Sequence, residues 1–192
     1  YYCLKMLEIP DAAEYFSRFK QGVLTHGLSF HRDELRDLHL FAINYCIRRV
    51  NEGQTGFFHD IMDFYKDGLA KGHLLENGIL SHFTYYNIVA AGLQTREYEW
   101  VEAFIPGYRN ALERSYRDSA YSFNLARLKF ARKAYDEALE LFREAASIDP
   151  YEPDAHYQAG MVLCEQQLYP QAVEEYVKKI EGEMPRPLET AL

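Results

Sequence analysis

Residues 119–152 read SAYSFNLARLKFARKAYDEALELFREAASIDPYE, and their spacing decides the fold. Apolar and small positions recur here at helical intervals, as in Ala138, Phe142 and Ala145, without the alternation of a strand. The following residues, 153–186, repeat the pattern. Ala126 and Gly160, Tyr135 and Tyr169, Ala138 and Ala172, and Phe142 and Tyr176 are each 34 residues apart. Small residues at the first and third of these positions let two helices cross with their backbones close, and the aromatic fills the space one turn on. Pro150 cannot continue a helix, Asp154 offers a side-chain oxygen near the next start, and Pro170 falls in a first turn where its missing N–H costs nothing.

Working outward, helical patterns can be drawn over residues 11–25, 33–51, 55–72, 80–94, 97–112, 117–133, 135–148, 153–167 and 169–182, with a stub at 1–8. No sustained alternation and no Asn-Gly hairpin is expected. Short loops between such helices force antiparallel pairs. Weaker copies lie upstream. Asn87-Ile88, Leu93, Tyr98 and Val101 precede Asn124-Leu125, Phe130, Tyr135 and Ala138 by 37 residues. Asn44, Val50, Phe58, Met62 and Tyr65 precede Asn87, Leu93, Val101, Ile105 and Tyr108 by 43, with an extended connection expected around residues 73–80. Phe19–Gly22 resembles Tyr65–Gly68, which makes residues 11–25 the second helix of a hairpin whose first helix is mostly missing.

A 34-residue helix–turn–helix unit of this kind resembles the tetratricopeptide repeat (TPR). Residues 119–152 carry Leu125-Ala126, Tyr135, Ala138, Phe142, Ala145 and the closing Pro150; residues 153–186 carry Ala159-Gly160, Tyr169, Ala172 and Tyr176. The second unit departs from the pattern at Lys179, where a small residue is usual, and lacks the closing Pro, so it reads as a terminal or weakened repeat. The predicted architecture is an all-α α-α superhelix, a TPR-like solenoid. Its divisions are divergent hairpins over 1–118, regular units at 119–152 and 153–186, and a tail at 187–192. The run 40–53 followed by 72–87 and 97–105 is also similar to a group of uncharacterised bacterial TPR-containing proteins, which implies the fold and a bacterial source but no activity.

Composition narrows the function. With 192 residues, 48% hydrophobic, the chain is long enough to bury a core. A net charge of −8 speaks against general nucleic-acid binding, where a basic stripe is needed. The charge is uneven, −1 over residues 1–96 and −7 over 97–192. No apolar run has the length of a membrane helix. Cys3, Cys46 and Cys164 are scattered and odd in number, which predicts reduced thiols and a cytoplasmic location. The opening Tyr1-Tyr2-Cys3-Leu4 and the close after Met184 predict a fragment or an array that associates through uncapped ends.

Chemistry is sparse. Among seven histidines, His26/His31 and His73/His82 lack metal-ligand spacing, and His156 sits among repeat-helix residues. Phosphate loops and nucleophile motifs are missing, and pairs such as Asp60/Asp63 and Glu140/Glu144 have the spacing of any solvated helix face. No enzyme, metal or cofactor is expected.

The 16 Tyr and 12 Phe mostly suit interhelical packing. The TPR resemblance implies that first helices line a concave groove, which would collect Tyr86, Asn87, Phe123, Asn124, Arg127, Phe130, Tyr157 and Met161. Asn44, Asn87 and Asn124, with Gln158, recur at one position, where an amide can bind a peptide main chain or tie helices together. The Lys and Asn pair of carboxylate-clamp TPRs is not matched, since Phe123 and Arg127 stand there. Residues 119–134 hold Arg127, Lys129, Arg132 and Lys133 and no acid, whereas 135–149 are acidic. Those cations either present a basic inner surface to an acidic segment or neutralise the next helix. The expectation is a non-catalytic scaffold for a protein or peptide segment. The alternative is a structural subunit of a self-associating assembly.

Overall fold

The computed structural model describes residues 1–8, 13–27, 30–149 and 153–183. The helices among them are α1 (Tyr2–Glu8), α2 (Ala13–His26), α3 (Arg32–Asn51), α4 (Phe57–Ala70), α5 (His82–Gln94), α6 (Tyr98–Tyr108), α7 (Arg117–Ala131), α8 (Tyr135–Ile148), α9 (Pro153–Glu165) and α10 (Tyr169–Glu183). The architecture is all-α and built of helix pairs, with no sheet among the described residues. Boundaries fall close to the sequence periodicity. At α6, where residues 97–112 read as one helix, the chain tightens after Tyr108 into a 3-10 turn over Arg109–Ala111. Pro106, inside the last turn of α6, has no N–H for the helical ladder. Pro150 and residues 184–192 lie outside the described residues, while Asp149 after α8 is already extended (φ −127°, ψ 95°).

The pairs α3/α4, α5/α6, α7/α8 and α9/α10 share one turn. In the third pair, Lys133 N donates to Phe130 O and Ala134 N to Lys129 O, the two bonds of a Schellman motif. The same two bonds recur at Gly53 and Gln54, at Arg96 and Glu97, and at Gln167 and Leu168. The left-handed residues are Gly53, Arg96, Lys133 and Gln167, with φ of 91°, 60°, 62° and 61°. Their intervals, 43, 37 and 34, are those of the side-chain copies in the sequence.

One sequence expectation is corrected. An Asn-Gly turn is present: Glu76 and Ile79 exchange both backbone bonds, at 2.8 and 2.9 Å, around Asn77 (φ 52°) and Gly78 (φ 81°). Positive φ at both central positions is what Asn-Gly supplies. The pairing stops at one bridge, so it closes a loop and starts no sheet.

The chain divides into two compact units, Tyr1–Leu80 and Ser81–Leu192. In the first, α1 packs on α2, α2 on α3, and α3 on α4. Phe16 stacks on Tyr45 at 5.2 Å and meets Phe57 at 5.3 Å, so aromatic rings fill the space between α2, α3 and α4. Lys20 Nζ lies 2.6 Å from both Asp60 Oδ1 and Asp63 Oδ2, which gives that carboxylate pair a cross-helix role. Arg32 donates to the carbonyls of Gly72 and Leu75, holding the loop after α4.

In the second unit α7 also packs on α5 and α6, and α8 on α9. Ala126 and Ala138 are fully buried in a core with Phe123, Phe142, Ala159 and Val162. A Cβ on Gly160 would land on the Tyr176 ring, 2.8 Å from its Cδ1 and Cζ, so a larger residue there must displace the ring where α9 meets α10. Glu175 of α10 is 1% exposed and takes bonds from Arg143 of α8 (3.0 Å), His156 of α9 (2.8 Å) and Lys178 (3.2 Å). Burial raises its pKa, but those three donors outweigh burial and hold it below the ordinary carboxylate range.

Candidate peptide-binding site

The candidate residues gather around Arg127. Helix α7 places Phe123 and Arg127 one turn apart on the side that meets α5. Tyr86 of α5 stacks on Phe123 with centroids 5.2 Å apart and planes 21° apart. The Arg127 guanidinium carbon lies 5.9 Å from the Phe123 centroid. Its Nη1 donates to the Tyr86 carbonyl (3.3 Å) and to Asn124 Oδ1 (3.2 Å). Asn124 in turn donates from Nδ2 to the Ala120 carbonyl at 2.9 Å.

Burial is uneven across this group. Phe123 and Asn124 are buried, so they act only through the residues they hold. Tyr86 and Arg127 are half-buried and Asn87 is exposed. The recurring amides are therefore not alike: Asn44 and Asn87 face solvent, whereas Asn124 spends both its functions inside α7. Phe130 turns toward Tyr135 of its own hairpin, with centroids 5.9 Å apart. Tyr157 and Met161 lie on α9, where Tyr157 is 5.8 Å from the Tyr176 ring and Lys179 Nζ sits 4.9 Å from its centroid.

Electrostatics separates Arg127 from Lys129 and Arg132. Lys129 pairs with Glu137 of α8 at 2.6 Å, and Arg132 with Glu102 of α6 at 2.9 Å, so both neutralise neighbouring helices. Arg127 makes no ion pair among the described residues. Burial lowers its pKa, against the attraction of Tyr86 and Asp154. A guanidinium remains charged under such a shift. A cavity of about 490 Å³ lies elsewhere, beside Arg109, Arg117 and Tyr121.

Comparison with known proteins shows where this chain has likenesses. The tetratricopeptide repeat family model matches residues 129–177, from the last turn of α7 into α10. The chain is similar to a crystal structure of MamA, at 20% identity and a TM-score of 0.47, over 78% of this chain and 91% of that one. It is also similar to a MamA RS-1 ArsTM double mutant, at 18% identity and a TM-score of 0.45, over 91% of this chain and 96% of the other. No curated protein sequence matches the chain. The fold is TPR-like and helical-repeat, and no described helix is long and apolar enough to cross a membrane.

A second cluster escaped the sequence reading. His39 of α3, Asp67 of α4 and His73 of the following loop come within reach of one another, each presenting an atom within 4.8 Å of the others. His39 is 28 residues from Asp67, and only its place on the inward face with Leu35 and Ala42 marked it as buried. Burial above all, together with the neighbouring His39, pushes His73 down to about 4.

Proposed function

We propose that this protein is a non-catalytic scaffold that binds an acidic, aromatic-containing peptide segment beside α5 and α7. The observation that carries this is Arg127, a half-buried guanidinium without a carboxylate partner among the described residues, set against the stacked rings of Tyr86 and Phe123. A carboxylate from a ligand would gain a charge-assisted bond there, and a ligand ring would extend the stack. Exposed Asn87 at the rim offers a donor and an acceptor to an extended main chain. Fluorescence anisotropy of a labelled Asp/Glu-rich peptide containing Tyr is the test. Binding should weaken as ionic strength rises and fall at least tenfold in Arg127→Glu. Indifference to both would refute the site.

A structural role has its own support in α10. Val173, Val177 and Ile180 are all exposed at spacings of four and three, an apolar stripe along one helix face. Such a stripe fits another hairpin or a second copy of the chain. A concentration-dependent sedimentation coefficient, abolished by Val177→Glu, would favour that reading over the peptide scaffold.

A further inference from the structure

We propose that His39, Asp67 and His73 form a binding site for a divalent transition-metal ion of the zinc type. Imidazole nitrogens with one carboxylate oxygen are the donor set such ions prefer. The site is built from three elements of one unit, namely α3, α4 and the loop held by Arg32.

The first argument is His73. It is 2% exposed, and neither ring nitrogen has a hydrogen-bond partner among the described residues. A buried polar group without a partner is costly, and a neutral imidazole always has one lone pair to give. The ring lies against His39 with centroids 4.2 Å apart. Gly68 makes this approach possible, because a Cβ there would stand 2.7 Å from Leu74 Cδ1 and 3.2 Å from His73 Nε2.

The second argument is how His39 is oriented. Its Nδ1 lies 2.8 Å from the Leu35 carbonyl, which can only accept, so Nδ1 carries the donated proton. That leaves Nε2 facing Asp67 Oδ2 at 2.8 Å, a contact bridged by a proton that the ion would displace. A ring fixed by an Nδ1–H bond to a backbone carbonyl, with Nε2 turned to a carboxylate, has the outer support that metal-binding histidines use. Tetrahedral bonds of about 2.0–2.1 Å place ligand atoms roughly 3.4 Å apart. His39 Nε2 and Asp67 Oδ2, at 2.8 Å, must therefore part slightly to admit the ion, while His73, within 4.8 Å of both, adjusts to the same spacing. His73, on a loop, can supply that movement. A cavity of about 300 Å³ beside Arg36, Glu76 and His73 gives access.

Cations oppose the ion: Lys71 and Arg32 both act on His73. Lys71 Nζ sits 2.8 Å from Asp67 Oδ1 and 2.9 Å from its Oδ2, and also approaches the Leu24 carbonyl. Its side chain is about one-fifth exposed and can swing outward, so the metal and Lys71 compete for Asp67. This competition separates a metal site from an ordinary buried cluster.

The test is titration of zinc ion alone into chelator-treated full-length protein, followed by calorimetry and, with cobalt, by visible absorption. The expected result is saturable one-to-one binding, at least tenfold weaker in His73→Ala and in Asp67→Asn, and tighter in Lys71→Met. His73→Ala removes no hydrogen bond, and an unchanged helical circular dichroism spectrum would show that it folds. His31→Ala should bind zinc as the parent does. Absence of one-to-one binding, binding unaffected by His73→Ala in a folded variant, or binding no tighter in Lys71→Met would overturn the proposal.

Discussion

At the scale of single residues, the four hairpin turns make opposite demands on glycine. Gly53 holds φ 91° at the first turn, where any Cβ is disfavoured, while Lys133 holds φ 62° with a full side chain. Gly53→Ala should therefore lower stability by about 1–2 kcal/mol. Lys133→Gly should raise it by about 0.5–1 kcal/mol, the relief exceeding the added freedom of the unfolded chain. Denaturant midpoints of the two variants, moving in opposite directions, are the check. Gly160→Ala puts a methyl into the Tyr176 ring and should cost about 1–3 kcal/mol, whereas Gly22→Ala, with open space around it, should cost nothing by crowding; thermal melts compare them. The sequence showed that Gly160 had to be small, because it stands 34 residues after Ala126. It also marked Phe123 and Arg127 as neighbours one turn apart. It did not show that Asn124, on the same helix, turns inward, because an amide reads alike whether it faces a ligand or a carbonyl. The histidine cluster was hidden for another reason: Asp67 and His39 are joined only by the packing of α4 on α3.

At the scale of elements, the second unit is joined by one buried carboxylate. Glu175 takes donors from α8 and α9 and from its own helix, so it links a hairpin to the one before it. Its folded pKa lies below its unfolded value, so its stabilisation is complete above about pH 4.3. That stabilisation is lost as pH falls through the folded value. The melting temperature of the parent should thus drop more steeply below pH 4.3 than that of Glu175→Gln. Parallel slopes would mean that Glu175 is not held ionised. Glu175→Gln itself should cost about 1–3 kcal/mol at neutral pH, because Arg143, His156 and Lys178 lose their charged acceptor. Ala138→Leu tests the hairpin α7/α8 in the same way: Ala138 has no exposed surface, and overpacking should cost about 1–3 kcal/mol by chemical denaturation. The helices were legible because their periodicity is long. The shared turn was legible only as an interval, since Arg96, Lys133 and Gln167 have no common chemistry. The Asn77-Gly78 turn is a four-residue signal set between long helical periods, and its bridge carries no strand pattern around it.

At the scale of the whole molecule, an acidic chain would ordinarily repel an acidic ligand. The net charge of −8 opposes such an encounter, and Lys129 and Arg132 of the α7 stretch are already neutralised within the protein. Binding must then rest on the local field of Arg127 and on aromatic contact, and it should be weak at high salt. The self-association reading places the contact on α10 instead, along Val173, Val177 and Ile180. The two readings predict different footprints on one molecule. The decisive measurement is a ¹⁵N heteronuclear NMR titration that follows the backbone amides and the Arg127 side-chain Nε–H as an acidic, Tyr-containing peptide is added. The scaffold account predicts saturable shifts at the Arg127 Nε–H and along residues 83–90 and 120–130. Shifts confined to α10, or none at Arg127 while the peptide binds, would contradict it.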